Sequence, residues 1–382
     1  MKTWHFEAMD TWYFRESRGH DSVGVSELAS VFPPPASTLA GAIRTTMGEN
    51  MQVDWQQWGQ SRGSCNPALQ AQIGFGEDMG AMQLTGPFLT KSGQRLYPWP
   101  VHLLERVGTA DAPHQFSRLL LGTPLLTHLG RVHAPDLPKG QVGFKVPENV
   151  WLTETGFCRV LDGGVPEPVD ILRKEDLYVE ESRLGIALKA GLKTVEESLL
   201  YQTRHIRPNA ELGLEMIVEG LDAATPASGM VRLGGEGRST RFSTQTSEGA
   251  LFPVRTFNPD DHGLLLISLT PVSWDRWVPS HFQPDVRKGL TTWVGDLAGV
   301  SLRIHGAAIG KVQREGGWDM ATNTPKPVSA LLPAGSVWYC TPENVSLAEA
   351  AAALHGQKLG QCTALGRGLL AVGRWPNNEF NA

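Results

Sequence analysis

Residues 31–48, VFPPPASTLAGAIRTTMG, constrain the fold more than any other stretch of the chain. Pro33, Pro34 and Pro35 hold the backbone extended, because each fixes its own φ and biases the preceding residue away from helix. Ser37 then offers a hydroxyl N-cap. Leu39, Ala42, Ile43 and Met47 recur at the spacing of one buried helical face, so a helix is expected to about Gly48. A proline stop running into a capped helix fixes where the helix N-terminus points. Such an end carries free N–H groups and partial positive charge and suits a phosphate, which makes Ser37, Thr38 and Arg44 candidate contacts. By composition alone the same pattern also describes a proline-led entry to an ordinary core helix.

At 382 residues the chain exceeds one ordinary domain, and two is the expected number. Its formal net charge of −5 excludes a polycation that coats nucleic acid through bulk charge, so any RNA contact must use a local basic patch. Glycine and proline are frequent but dispersed, which predicts many loops joining short elements. Cys65, Cys158, Cys340 and Cys362 lie far apart with no C-x-x-C, as expected in a reducing cytoplasm. No secretory h-region opens the chain and no window approaches a membrane span, so no membrane partner is expected.

Taken in order, residues 3–8 read as a first strand, and the segment carrying Arg15, Arg18 and His20 as a loop leading to the helix. Strand, long loop and helix open a βαββαβ unit. Between 50 and 80, Trp55 and Trp58 are the expected packing points. MQLTGPFL (82–89) reads as a strand. From 108 to 170 the pattern dissolves into hairpin-like pieces, with FKVP and GFCRVL as strand fragments. SRLGIALK reads as a strand, Thr194 and Glu197 as a capping box for a short helix through Leu200, and YQTRHIRP and GLEMIVEG as strands. LDAATPASG (221–229) is the expected boundary. Beyond it, strands are expected in VRLGG, 262–274, 301–310 and 331–340. A helix over 346–356, capped by Ser346 with Glu349 three residues on, precedes a glycine loop and a final strand through 375. The division is therefore 1–225, with an insertion at about 50–178, and 226–382.

Arg15 and Arg18 flank a segment leading to a helix N-terminus, which favours phosphate contact; His20 stands beside them without a second histidine or tyrosine nearby. Gly234 and Gly235 before Arg238 describe a hairpin turn or a contact with RNA or another subunit. Gly366 and Gly368 around Arg367, followed by Arg374, let backbone N–H groups approach a phosphate, although the run lacks the spacing of a P-loop or a dinucleotide fingerprint. Taken alone, it reads as a tight turn from helix to strand. His128 and His133 lack the Cys/His spacing of zinc and read as loop residues, so no metal is expected. Glu180-Glu181 and Asp260-Asp261-His262 read as solvated turns.

With these residues in view, the chain resembles the RAMP proteins of CRISPR effectors, in the family of the third subunit of the type III-B (Cmr-type) complex. The resemblance rests on segments in the family's order: FRESRGHD followed by FPPPASTLAGAIRT, TGPFL with YPWP, ESRLGIAL with LYQTRHIRP, VRLGGEGR, LTPVSW with WVP, GGWD with PKP, PAGSVWY, and GRGLLAVGRW. It is weakest over 108–170. It implies an α+β fold of two ferredoxin-like (RRM-like, βαββαβ) units packed together, with a loop- and hairpin-rich insertion in the first. It implies a non-catalytic, cytoplasmic subunit that needs no cofactor. That subunit would bind the 5′ repeat-derived tag of the guide RNA (crRNA), dock the large polymerase/cyclase-like subunit and adjoin the repeated RAMP backbone subunit. With the resemblance, RNA contact becomes the favoured role of Gly366, Arg367 and Gly368. The rival reading is a RAMP endoribonuclease that matures the guide RNA without metal, with His20 as its base.

Overall fold

The computed structural model describes residues 1–16, 27–108, 114–188, 195–222, 224–247, 252–319 and 324–376. They form two compact units, one of Met1–Gly93, Lys174–Glu248 and Arg314–Ser329, the other of Gln94–Arg173, Gly249–Gln313 and Ala330–Ala382. Both mix helices with a larger number of mostly antiparallel strands.

The first unit is built on β1 (Lys2–Ala8), α1 (Ala36–Asn50), β2 (Gln83–Lys91), β3 (Tyr178–Leu188), β4 (Val195–Pro208), β5 (Leu212–Glu219), β6 (Ser228–Arg232) and β7 (Ser239–Thr246). Its main sheet runs β6-β7-β1-β5-β2, every neighbouring pair antiparallel. Trp4 and Phe6 alternate onto one face of β1 and are fully buried, and Trp4 stacks on Phe242 of β7 at 5.2 Å. The predicted stripe of α1 is buried at Leu39, Ala42, Ile43 and Met47, against β2 and β6. Ser37 is not the cap, however. The helix starts two residues earlier, with extended Pro35 as N-cap, its carbonyl accepting from Thr38 N–H at 3.0 Å. The three prolines already set the entry, so Ser37 falls inside the first turn and its hydroxyl donates to Glu315 at 3.3 Å.

Two further expectations fail in an instructive way. Residues 195–200 are not helical but belong to the 14-residue strand β4. Pairing along β3, from Tyr178–Pro208 to Leu188–Val195, outweighs a local capping signal. GFCRVL is not a strand fragment but most of a helix, Glu154–Leu161, whose N-cap Thr153 accepts from Gly156 N–H at 3.1 Å. The stretch after α1 also holds two short helices, Trp55–Gln60 and Pro67–Ile73. Trp58 is buried, its ring near that of Phe75, while Trp55 lies against Gly48, where a Cβ would sit 2.4 Å from its ring.

The second unit contains β8 (Asp261–Ser268), β9 (Gln283–Arg287), β10 (Leu290–Leu297), β11 (Val300–Ala308), β12 (Val337–Pro342), α2 (Leu347–Leu354) and β13 (Leu370–Pro376). The antiparallel sheet runs β9-β10-β11-β12-β8-β13. Helix α2 keeps its predicted start: Ser346 Oγ accepts from Glu349 N–H while the Glu349 carboxylate accepts from Ser346 N–H. Its buried Ala350, Ala351 and Leu354 join a core with Leu264, Leu302, Trp338 and Val372.

Candidate nucleic-acid interface

The site is assembled in the first unit from segments distant in sequence. Residues 10–16 cross the base of the β3–β4 hairpin. Trp12 and Ile206 exchange backbone hydrogen bonds at 2.9 and 2.8 Å, Tyr13 C=O accepts from Gly235 N–H at 2.8 Å, and Arg15 bridges to Ser30. Ser30 Oγ in turn donates to Arg204 C=O at 2.6 Å. Gly234 is glycine for a reason that the chain itself supplies: φ is +85°, and a Cβ would sit 2.3 Å from Tyr13 O.

Opposed residues of β3 and β4 share a face, so the register Val179–Arg207, Glu181–His205 and Arg183–Thr203 puts two arginines and one glutamate together. Asp10 completes the group. Arg183 reaches Asp10 through Nη2 and Glu181 through Nε, at 2.8 and 2.7 Å. Arg207 pairs with the same two carboxylates, at 3.1 Å to Asp10, and Arg238 lies 3.7 Å from Asp10. Three guanidinium groups thus share two carboxylates, which leaves a local excess of positive charge on a chain that is acidic as a whole. The Arg207 side chain remains 42% exposed. Asp10 is held below the usual carboxylate range chiefly by its hydrogen bond from Arg183, and Glu181 chiefly by that from Arg207, so both stay ionised. On the opposite face of the hairpin, Glu180 lies between Lys174 at 2.8 Å and Arg204 at 3.4 Å.

Beneath the arginines, His205 is buried and stacks on Tyr13 with centroids 5.1 Å apart. Its ring nitrogens meet the hydroxyls of Thr11 and Thr203 at 3.1 and 3.0 Å. Burial, then the charges of Arg183 and Arg238, push its pKa down to about 4. It is a neutral floor for the cationic group. Exposed ion pairs contribute at most about 1 kcal/mol each. Stability alone therefore gives little reason for three arginines here, whereas guanidinium groups pre-positioned by carboxylates can accept a phosphate without losing much side-chain entropy.

The sequence-predicted residues are distributed as follows. Arg238, Gly234 and Gly235 belong to this group, and Arg15, exposed, lies on the segment that crosses it. Arg18 and His20 fall outside the described residues. Arg44 is committed to the chain itself, donating to the carbonyls of Ile73, Gly76 and Asp78 at 2.8, 3.0 and 2.6 Å. Ser37 and Thr38 lie in the first turn of α1. Gly366, Arg367, Gly368 and Arg374 belong to the second unit. There Arg367 is 9% exposed, and Arg374 makes a two-pronged pair with Asp261 at 2.8 and 3.0 Å. Asp261 is consequently a buried strand residue rather than a solvated turn, and Glu180 and Glu181 likewise lie on a strand. Asp10, Arg183 and Arg207 are not among the residues that the sequence singles out, although Arg183 and Arg207 lie in ESRLGIAL and LYQTRHIRP, two of the segments that carry the resemblance.

Among the described residues no group of His, Cys, Asp and Glu could hold a metal ion, and no helix is long and apolar enough to cross a membrane. A family model described as CRISPR-associated protein (Cas_Cmr3) matches residues 4–375. The chain belongs to the Cas_Cmr3 family. No curated protein matches it. The Cas_Cmr3 chain is similar to a chain of the type III-B Cmr-beta complex bound to cognate target RNA and AMPPnP. That match has 15% identity and a TM-score of 0.47, and covers 88% of this chain and 85% of that one. It is also similar to a chain of Cmr-beta bound to cognate target RNA, at 15% identity and TM-score 0.44, covering 88% and 86%.

Proposed function

We propose that this Cas_Cmr3 chain is a non-catalytic subunit of a type III-B CRISPR effector that holds the 5′ repeat-derived tag of the guide RNA. In the same reading it docks the large polymerase/cyclase-like subunit and adjoins the repeated RAMP backbone subunit. Family membership over nearly the whole chain supports the setting. The observation that carries the RNA reading is the trio of Arg183 and Arg207, on the β3–β4 hairpin, with Arg238 beside them, gathered around Asp10 and Glu181. We further read both units as ferredoxin-like. In the first, β7-β1-β5-β2 has the order of the four strands of a βαββαβ unit, with α1 between the first two strands. In the second, β11-β12-β8-β13 has it, with α2 before the last strand. In this reading each unit keeps one of the two helices, α1 or α2.

The test is binding of a tagged guide RNA by the full chain over a range of salt. Each lost phosphate contact should flatten the dependence of log K on log salt by about 0.7 for single strands. Arg207→Ala should weaken binding and flatten that slope by about one contact, while association with the large subunit persists. A wild-type slope in Arg207→Ala and in Arg183→Ala alike would move the RNA away from this hairpin. Metal-free cleavage of repeat RNA would favour the endoribonuclease instead.

A further inference from the structure

The second unit contains a pocket that the arginine group does not use. Its cavity of about 220 Å³ lies between the sheet and a short hairpin, Leu125–Thr127 with Gly130–Val132. The hairpin seats on β10 at Gly130, where a Cβ would come within 2.5 Å of Thr291 Oγ1. Trp277 and Trp293 supply an aromatic corner, their rings 4.6 Å apart and nearly perpendicular. The Trp277 segment is held by its carbonyl, which accepts from Trp338 Nε1 at 2.7 Å.

Three features define what this space can take. Among the described residues no Asp, Glu, Lys or Arg lines it, so a charged group entering it would be desolvated without a counter-charge from them. His305, on its wall, has Nε2 engaged with Thr341 Oγ1 at 2.8 Å, and burial holds its pKa down at about 4, leaving the ring neutral at neutral pH. The floor is not purely apolar either. The β10–β11 ladder ends at Trp293–Ile304, whereas β11 runs on to Ala308 paired on its other side with β12. The lining residues Gly306 and Ala307 lie on that half-paired stretch, where a strand offers in-plane N–H and C=O groups to a ligand edge. The volume is below the roughly 300–1,000 Å³ of pockets for drug-sized ligands, so it suits one ring system.

From the indole corner, the missing charges and the half-paired strand edge, we propose that this pocket receives one unpaired nucleobase of the bound RNA. The base stacks on indole, its edge faces β11, and its phosphates remain outside. The inference rests on the reading of the chain as a guide-RNA binder.

The experiment uses the full chain and tagged guide RNAs in which each tag nucleotide in turn is made abasic. Stacking of one base on an aromatic side chain predicts a loss of about 5- to 150-fold at a single position. Trp277→Leu should lower affinity for the intact RNA by a similar factor and erase the effect of that abasic position. Ala307→Leu, which fills the pocket and leaves both indoles in place, should do the same if the variant keeps the wild-type circular dichroism. Tag binding with unchanged abasic effects in both variants would overturn the pocket and leave the functional reading standing. Failure of the wild type to bind any tagged RNA would remove both. Loss of association with the large subunit in Ala307→Leu, with RNA binding intact, would assign the pocket to a protein side chain and overturn the inference.

Discussion

Gly368 is the position where a single methyl group should have the largest consequence. Its φ is +77°, and an added Cβ would sit 1.8 Å from Leu359 O and 2.8 Å from Leu359 C. That neighbour is backbone and cannot rotate away. The same residue donates from its N–H to Pro271 O at 3.0 Å and accepts at its carbonyl from Leu359 N–H at 2.9 Å. Left-handed backbone costs an alanine roughly 1–2 kcal/mol, and losing two buried hydrogen bonds costs about 1 kcal/mol each. Gly368→Ala should therefore destabilise the second unit by roughly 3–4 kcal/mol. Gly289→Ala is the matched control, with φ of +76° in the same unit but nothing within 4 Å of its Cβ. It should cost only the conformational share, about 1–2 kcal/mol. Urea unfolding followed by tryptophan fluorescence measures both, and hydrogen exchange at the Leu359 amide reports the loop directly. If the two variants unfold within about 0.5 kcal/mol of each other and the Leu359 amide stays protected, the close-approach argument is wrong. The same geometry changes what a bulky residue at Gly368 tests. The backbone it obstructs is that of residue 359, so weakened RNA binding in such a variant would first report a displaced loop.

Asp261 accepts both prongs of Arg374 and the Asn258 N–H at 2.7 Å while being nearly buried. Asp261→Ala should cost about 3–5 kcal/mol, the range for breaking a buried pair, and a loss under about 1 kcal/mol in chemical unfolding would contradict the pair's burial. His102, His205 and His305 have pKa values lowered to about 3, 4 and 4, mainly by burial. Between about pH 4 and 6.5 the unfolded chain therefore binds more protons, and stability should be complete above about pH 6.5 and fall by a few kcal/mol toward pH 4. A urea midpoint that is flat from pH 6.5 to 4.5 would refute it. Ser346→Ala should destabilise α2 by about 1 kcal/mol, because Ser346 closes a capping box with Glu349; a loss within about 0.5 kcal/mol in thermal unfolding would contradict the cap.

Much of this protein is legible in its sequence because the causes are local. Ser346 and Glu349 satisfy one another's backbone within a single turn, so the start of α2 needs no tertiary information. The stripe Leu39, Ala42, Ile43 and Met47 is a property of helical spacing, and all four are buried. Alternation over residues 3–8 likewise predicts which side chains of β1 face the core. Ser37 shows the limit of such reasoning: a good capping residue adjoined a stronger constraint, and the prolines had already determined the first turn.

What only the tertiary structure decided depends on partners far along the chain. Residues 195–200 could satisfy their backbone in a short capped helix or across a long hairpin, and β3 supplies the ladder that selects the hairpin. The arginine group is an extreme case. Glu181 and Arg183 share a face of β3 two residues apart, but Asp10, Arg207 and Arg238 come from three other segments, and no sequence spacing links those to β3 or to one another. They meet because the segment 10–16 is hydrogen-bonded to Ile206 on one side and Gly235 on the other. Gly368 belongs to the same class, since its need for glycine comes from Leu359 and Pro271 in space rather than from a local turn alone. Helix starts and buried faces are set by interactions spanning a few residues and so can be read directly. Strand partners, ion networks and close backbone approaches are set by which segments the packed core brings within a few ångströms, and that is a property of the folded chain alone.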